Sequence, residues 1–253
     1  MNKRNTQQRR RTIVEKVNLQ GQVSVDELAN FFSTSEVTIR KDLAVLEDSG
    51  LLLRRFGGAV PAPQEFIKEA NDEQLSARKL ALGKAAADLI SDHHRVLIDS
   101  GTTTAAIIPS LSDKQGLVVM TNSLHIANAL RELENEPTLL MTGGTWDPHS
   151  EAFQGKVAEQ VLRSYDFDKL FIGADGIDIE RGTTTFNELT GLSQVMADVA
   201  REVIVVIESE KLTRKIPNLE LPWHSITTLI TNDDLSAELK QHLLKTGINL
   251  ILA

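Results

Sequence analysis

The residues of this chain best suited to chemistry are small and polar, and they recur just after short apolar runs. Asp99-Ser100-Gly101-Thr102-Thr103-Thr104 follows Val96-Leu97-Ile98. A glycine lets the backbone approach a ligand closely, two hydroxyls follow, and a helix starting there would turn unpaired N–H groups toward an anion. Gly101, Thr102 and Thr103 therefore suit a phosphate. The loop is neither the G-x-x-x-x-G-K-[ST] nucleotide loop nor a dinucleotide G-x-G-x-x-G, which favours a smaller phosphorylated ligand. Plain helix capping by threonine would produce the same residues.

Four more loops share this character: Thr121-Asn122-Ser123, Thr142-Gly143-Gly144-Thr145, Gly173-Ala174-Asp175-Gly176 and Glu208-Ser209-Glu210-Lys211. Asp99, Asn122 and Asp175 could hold sugar hydroxyls, and Lys211 could add a cation. A turn-forming aspartate before Gly176 and a solvated loop lysine are the blander alternatives. Any one loop is weak support, and five converging is stronger. Cysteine is absent and the six histidines show no paired metal spacing, so neither a metal nor a cofactor is expected.

These loops need a scaffold that gathers them. The apolar runs are 96–98, 117–120, 139–141, 170–172, 203–207, 229–230 and 248–251. They are short and mostly continuous, which fits strands covered on both faces. Helices are expected at about 104–112, 123–134, 155–164, 188–201 and 234–246, after an opening helix over 73–91. Strand and helix in alternation predict a mostly parallel sheet wrapped by helices, with ligands at the strands' carboxyl ends.

A second constellation lies near the N-terminus. Ser24 precedes Glu27 by three residues, a capping box, and opens a helix carrying Val25, Leu28, Ala29 and Phe32. Ser35 caps another, from Glu36 to about Ser49, with Ile39, Leu43 and Leu46 facing inward and Gly50 as its stop. A helix over about 6–20 supplies Ile13, Val14 and Val17. Ser35, Thr38, Arg40 and Lys41 are left outward, suited to base edges and phosphates. A strand at Leu51-Leu52-Leu53, then Arg54 and Arg55 at the edge of a wing, and the Gly57-Gly58 turn complete a winged helix-turn-helix, a module that sets a helix in the major groove. A small helical domain with a solvated charged face is the alternative.

Residues 1–60 hold ten Lys/Arg and seven Asp/Glu, a charge of +3, so the remaining chain carries −11 of the total −8. A basic head on an acidic body would bring only the head to DNA. Lys3, Arg4, Arg9, Arg10 and Arg11 form an acid-free run, either a phosphate-contacting arm or a solvated tail. With 253 residues and 41% hydrophobic content, two domains are expected: 1–60, a proline-marked linker at 61–72, and 73–253. There is no long apolar run for a membrane span and no secretory leader, which fits a cytoplasmic setting.

Ser35-Glu36-Val37-Thr38-Ile39-Arg40-Lys41-Asp42-Leu43, then Leu46-Glu47, Gly50, Arg55 and Gly57-Gly58-Ala59, resembles the N-terminal domain of the DeoR/GlpR family of bacterial transcriptional regulators. Phe56 stands where that family often has histidine. Ser100-Gly101-Thr102-Thr103, Gly143-Gly144, Gly173-Ala174-Asp175-Gly176 and Lys211 resemble its sensor domain. The strings 119–126 and 167–171 look most like the glucitol-operon repressor subgroup. The resemblance implies a Rossmann-like α/β sensor similar to ribose-5-phosphate isomerase and CoA-transferase folds. It implies operator DNA as partner, a phosphorylated sugar or sugar alcohol as effector, repression as the usual sign, and no enzymatic activity. A homo-oligomer, dimer or tetramer, is expected because specific operators usually carry two or more half-sites.

The rival is a sugar-phosphate isomerase with a DNA-binding head. Asp175 and Glu188 lie in the right region for a base, but 181–188 lacks the glycine-rich stretch of those isomerases, and Glu188 does not match their glutamate's offset. A third option is a DNA-binding protein whose body serves only assembly.

Overall fold

The computed structural model describes residues 3–48, 51–55, 57–61, 76–148, 150–186, 190–214, 216 and 218–253. Two compact units divide the chain, Met1–Gln74 and Leu75–Ala253. The expected linker lies outside the described residues apart from Pro61, which ends a strand. So do Gly50, Phe56, Glu188 and the first part of the helix expected from residue 73.

In the first unit, α1 (Lys3–Gln20), α2 (Val25–Phe31) and α3 (Glu36–Asp48) enclose a core of Ile13, Val17, Val25, Leu28, Ile39, Leu43 and Leu46. The capping box forms as its spacing predicts: Ser24 N–H donates to Glu27 Oε2 at 2.9 Å, and Glu27 N–H returns to Ser24 Oγ at 3.1 Å. Strand β1 (Val23–Ser24) pairs with β3 (Gly58–Pro61), which pairs in turn with β2 (Leu52–Arg55). This hairpin is the wing. Gly57 turns it at φ 83°, left-handed backbone that favours glycine. Gly58 has a different reason, because a Cβ there would meet Val23 O at 2.3 Å. It is needed for strand packing, so only Gly57 owes its identity to the turn.

The second unit is built on a seven-stranded parallel sheet, ordered β15-β14-β12-β9-β4-β5-β6. Its strands are β4 (Arg95–Ile98), β5 (Val118–Thr121), β6 (Thr138–Met141), β9 (Phe167–Ile172), β12 (Ala200–Val206), β14 (Thr228–Thr231) and β15 (Asn249–Leu252). Alternation along each strand supplies two cores. Val96, Ile98, Phe171, Ile204 and Ile230 pack with Leu82 and Ala86 of α4 (Ala77–Ala87) and with Ile126 and Leu130 of α6 (Leu124–Arg131). Leu97, Leu170, Val203, Val205 and Leu229 pack with Leu162 of α7 (Lys156–Leu162), Met196 of α8 (Gly191–Asp198) and Leu243 of α9 (Ala237–Lys245). Both faces are covered, which is why the runs are continuous rather than alternating.

Several boundaries differ from expectation. The helix expected over 104–112 is split into a short α5 (Thr102–Ala105) and a 3-10 turn, Ile108–Leu111. Pro109 lacks an N–H and its ring would strike the preceding turn of an α-helix. The helix expected to reach 201 stops at Asp198, because Ala200 already pairs with Phe167 in the sheet. Two small additions carried too few apolar residues to be foreseen. One is a hairpin of β7 (Thr145–Asp147) and β8 (Ala152–Gln154). The other is an antiparallel sheet, β10 (Gly176–Asp178), β11 (Gly182–Thr185) and β13 (Asn218–Pro222).

Candidate functional site

The chain leaves β4 toward β5 and β6 on one side, then returns to place β9 and β12 on the other. The loops after β4 and β9 therefore diverge, and a crevice opens between them at the carboxyl ends. Asp99–Thr103 follows β4 and Gly173–Gly176 follows β9. Two of the five loops expected to contribute flank this one point.

Gly101 stands at the start of α5 with φ 134° and ψ 154°, and no side chain caps the helix. Helix capping thus does not explain Thr102 or Thr103. Thr104 is spent internally, its hydroxyl within reach of the carbonyls of Asp99 and Gly101 at 2.8 and 2.9 Å. A helix beginning at Thr102 leaves its first amides without intrahelical acceptors. Lys79 Nζ donates to the Thr102 hydroxyl. Lys79 sits in the first turn of α4, where Ser76 caps its amide at 3.3 Å. Sequence reasoning missed this lysine. It lies 23 residues before the loop and belongs to no motif. The clue was an amphipathic helix with a cation one turn from its start. Beside it, Arg78 joins the ends of two other strands, bonding Ser209 Oγ at 2.9 Å and Asp234 Oδ2 at 2.7 Å.

Asn122 follows β5 and is occupied within the fold. Its amide donates to Asp99 Oδ1 at 2.8 Å and its carbonyl accepts the Ser100 N–H at 2.9 Å. It positions Asp99 and the loop. Asp175 Oδ2 accepts the Thr185 hydroxyl and the Phe186 N–H, both at 2.9 Å. Lys211 lies on a 3-10 turn after β12 and is only 7% exposed, so it is not a solvated loop lysine. Burial, and then the Arg214 charge, push its pKa down to about 7.

Gly143 and Gly144 follow β6, the edge strand, two strands away from the crevice. Their backbone is left-handed, at φ 59° and 113°, and a Cβ on Gly144 would lie 2.5 Å from Gln154 O. Close packing accounts for Gly144 without a ligand.

A further carboxylate, Glu220 on β13, was also invisible in sequence, because its strand was not recognised. It is 7% exposed, and its Oε1 accepts the Ser193 hydroxyl at 2.9 Å. Burial, reinforced by the charges of Asp99 and Asp175, pushes its pKa up to about 8. Asp99 is pushed up to about 6, mainly by burial, against the opposing pull of the Asn122 amide. Surface hollows exist elsewhere, one of them at the amino edge of the sheet near Phe167 and Ala200, whereas the largest protonation shifts fall on Asp99, Lys211 and Glu220.

On the first unit, α3 turns Ser35, Arg40 and Lys41 to solvent and keeps Thr38 partly covered. Ser35 Oγ and Thr38 Oγ1 are 2.9 Å apart, and the Thr38 N–H reaches Ser35 Oγ at 3.3 Å, the predicted cap. Val37 is 63% exposed on this helix, an apolar side chain of the kind that packs on a thymine methyl. Sequence reasoning had passed over it. Arg40 is paired with Glu36 at 3.0 Å, and Arg54 with Glu47 at 2.6 Å. Arg55 is half-buried rather than on an open edge. Arg9 and Arg10 both donate to Asp42, which is 2% exposed, at 2.6 and 2.8 Å. Two of the five cations expected in a free arm thus tie α1 to α3. No helix among the described residues is long and apolar enough to cross a membrane.

Residues 9–65 match the family described as the DeoR-like helix-turn-helix domain, and residues 74–233 match the DeoR C-terminal sensor domain. A protein of Escherichia coli O157:H7 named as an aga operon transcriptional repressor is 38% identical over 98% of this chain and 94% of its own length. The HTH-type transcriptional regulator GlpR of Haloferax volcanii is 32% identical over 96% of each chain. The narrower likeness to the glucitol-operon subgroup gains no specific support from these relatives. Among solved structures, ribose 5-phosphate isomerase from Methanocaldococcus jannaschii is similar at 19% identity over 54% of each chain, with a TM-score of 0.39, too slight to carry an argument. The close relatives are named as regulators rather than enzymes. With a DNA-binding head, a parallel-sheet sensor and matches across both, the chain belongs to the DeoR family of DNA-binding transcriptional regulators.

Proposed function

We propose that this chain represses a carbohydrate operon in the cytoplasm, and that a phosphorylated sugar or sugar alcohol in the β4–β9 crevice modulates its grip on DNA. One observation carries the reading. Lys79 Nζ rests on the hydroxyl of Thr102, at a glycine-led helix start whose first amides lack intrahelical acceptors. A cation and free amides together suit a phosphate dianion. Gly101, Thr102, Thr103 and Lys79 hold the phosphate, while Asp99 and Asp175 meet the hydroxyls and Lys211 adds a proton donor. Asn122 acts through Asp99, and no effector role is assigned to Gly143 or Gly144. On the head, Ser35, Thr38, Arg40 and Lys41 face the major groove, with Arg54 and Arg55 on the wing. Two heads from a homo-oligomer address two half-sites.

The effector shifts DNA affinity only by its differential affinity for the two states of the protein. The test is fluorescence anisotropy on DNA from upstream of the chain's own operon, with and without glucitol 6-phosphate, glucosamine 6-phosphate or ribose 5-phosphate. At least one should change the midpoint by about fivefold or more, the usual lower end of such coupling. Thr102→Val should bind the DNA like the parent and lose that response. A response retained in Thr102→Val would remove the phosphate from this loop.

A further inference from the structure

Two adjacent residues of α4 reach strand ends on either side of the crevice. Lys79 Nζ donates to the Thr102 hydroxyl, after β4. Arg78 Nη2 donates to Ser209 Oγ, after β12, at 2.9 Å and to Asp234 Oδ2, after β14, at 2.7 Å. Its Nη1 lies 3.6 Å from Glu210 Oε1. The sheet runs β14-β12-β9-β4 through this region, so the first turn of α4 bridges the carboxyl ends of strands that are not neighbours. The far anchor is itself tied down: the Ser209 hydroxyl donates to Asp234 Oδ1, the Ser209 N–H reaches Asn232 Oδ1 at 3.4 Å, and Ser209 and Asn232 are buried. Packing does not hold this turn. Ser76, Ala77, Arg78, Leu80 and Ala81 are exposed, Lys79 is half-buried, and the first buried residue of α4 is Leu82. Polar hooks fix it instead. The covalent path from the head enters the sensor at the same turn, because the two units divide between Gln74 and Leu75, just before α4.

We propose that Arg78 is a positioning residue that couples the effector site to the head: it pins the first turn of α4 to the ends of β12 and β14, so that a phosphate engaging Lys79 at the β4 loop shifts that turn and the chain leading to the head. This rests on the effector reading above and adds the route from site to head. A phosphate on the Thr102 and Thr103 amides competes with the Thr102 hydroxyl for the Lys79 ammonium, since a charged acceptor is the stronger one. Lys79 then changes its hold. With Arg78 fixed, that change passes into the backbone the two residues share. With Arg78 gone, Lys79 follows the phosphate on an unpinned turn and the head is not reached. None of the partners of Arg78 is assigned to the effector. Lying on a route is not coupling until a change there alters the response, so binding and response must be read separately.

Arg78, Glu210 and Asp234 are exposed, and an exposed ion pair contributes less than about fivefold to a folding equilibrium, so its loss leaves the sensor folded. The experiment pairs calorimetric titration of the sugar phosphate with anisotropy titration of the upstream DNA, both on the full chain. The probe is whichever of glucitol 6-phosphate, glucosamine 6-phosphate and ribose 5-phosphate shifts the parent. Arg78→Met keeps the apolar stem and removes the hooks. It should bind the sugar phosphate, and DNA without it, within about twofold of the parent, while the effector's shift of the DNA midpoint falls from about fivefold or more to below about twofold. Asp234→Ala should show the same loss, and the double variant no further loss, because both residues serve one contact. Arg78→Lys keeps the charge with a single-point grip and should recover part of the shift. A parent-sized shift in Arg78→Met, with Thr102→Val unresponsive, would overturn the role of Arg78 and leave the effector reading intact. Loss of sugar-phosphate binding in Arg78→Met would make Arg78 part of the binding site and overturn its coupling role. Binding of none of the three by the parent would overturn the effector reading and the coupling with it.

Discussion

Lys211 and Glu220 are pushed in opposite directions by the same cause, since burial disfavours whichever form is charged. For Glu220 the folded pKa of about 8 lies above the ordinary 4.5. The folded chain therefore binds this proton more tightly than the unfolded chain, and stability falls as pH rises through that window. Glu220→Gln should match the parent in thermal midpoint near pH 4.5 and exceed it by several degrees at pH 9. A constant offset across that range would contradict the shift. Asp42 behaves differently, being buried but clasped by Arg9 and Arg10. Asp42→Ala should destabilise the head by roughly 3 kcal/mol, because removing one member leaves the others uncompensated. Calorimetry of the full chain would reveal it as an early first transition, and an unchanged trace would refute it. At this scale the sequence was half legible. Gly101, Asp99 and Asp175 invited a proposal through their loop positions. Lys79 and Glu220 did not, because a lysine on a helix and a glutamate in an unforeseen strand look like ordinary surface residues until the fold brings them in.

Among the elements, local signals worked where one physical cause acted alone. Ser24-x-x-Glu27 produced a helix start, and the continuous apolar runs produced the parallel strands. Ser24→Ala should cost the head about 1 kcal/mol, the usual value of a lost cap, and Glu27→Ala less; thermal unfolding of both variants compares them. The signals failed where tertiary pairing competed with helical pattern, as at Ala200, or where proline intervened, as at Pro109. The sheet of β10, β11 and β13 was illegible because Gly182-Thr183-Thr184-Thr185 has no apolar run, yet all four residues are buried. Gly83 likewise gave no sign of its role. A Cβ there would come 2.1 Å from Ala106 O, so α4, the helix bearing Lys79, packs tightly against the segment just after the phosphate-suited loop. Gly83→Val should therefore weaken effector response more than DNA binding, as read by the same anisotropy titration. A parent-sized effector shift in Gly83→Val would place the effector elsewhere.

Over the whole molecule, charge divides the labour. The head carries +3 and the rest −11, so nucleic acid has an electrostatic reason to meet only the head. Arg40 and Lys41 should each weaken operator binding when changed to alanine, and each should lower the slope of log affinity against log salt by about one if it meets a phosphate. Arg40 must first leave Glu36, an exposed pair that offers little resistance. Parent-like slopes in both variants would move the DNA to another face. The body offers one point where strand order reverses, flanked by the loops that carry Asp99, Gly101–Thr103 and Asp175, with Lys79 Nζ on the Thr102 hydroxyl. The most direct test is a crystal structure of the full chain with glucitol 6-phosphate, or whichever sugar phosphate binds best. The phosphate should lie within hydrogen-bond distance of the Thr102 and Thr103 amides and Lys79 Nζ, with the sugar directed toward Asp99 and Asp175. A phosphate bound at the amino edge of the sheet, or on the head, would contradict the account.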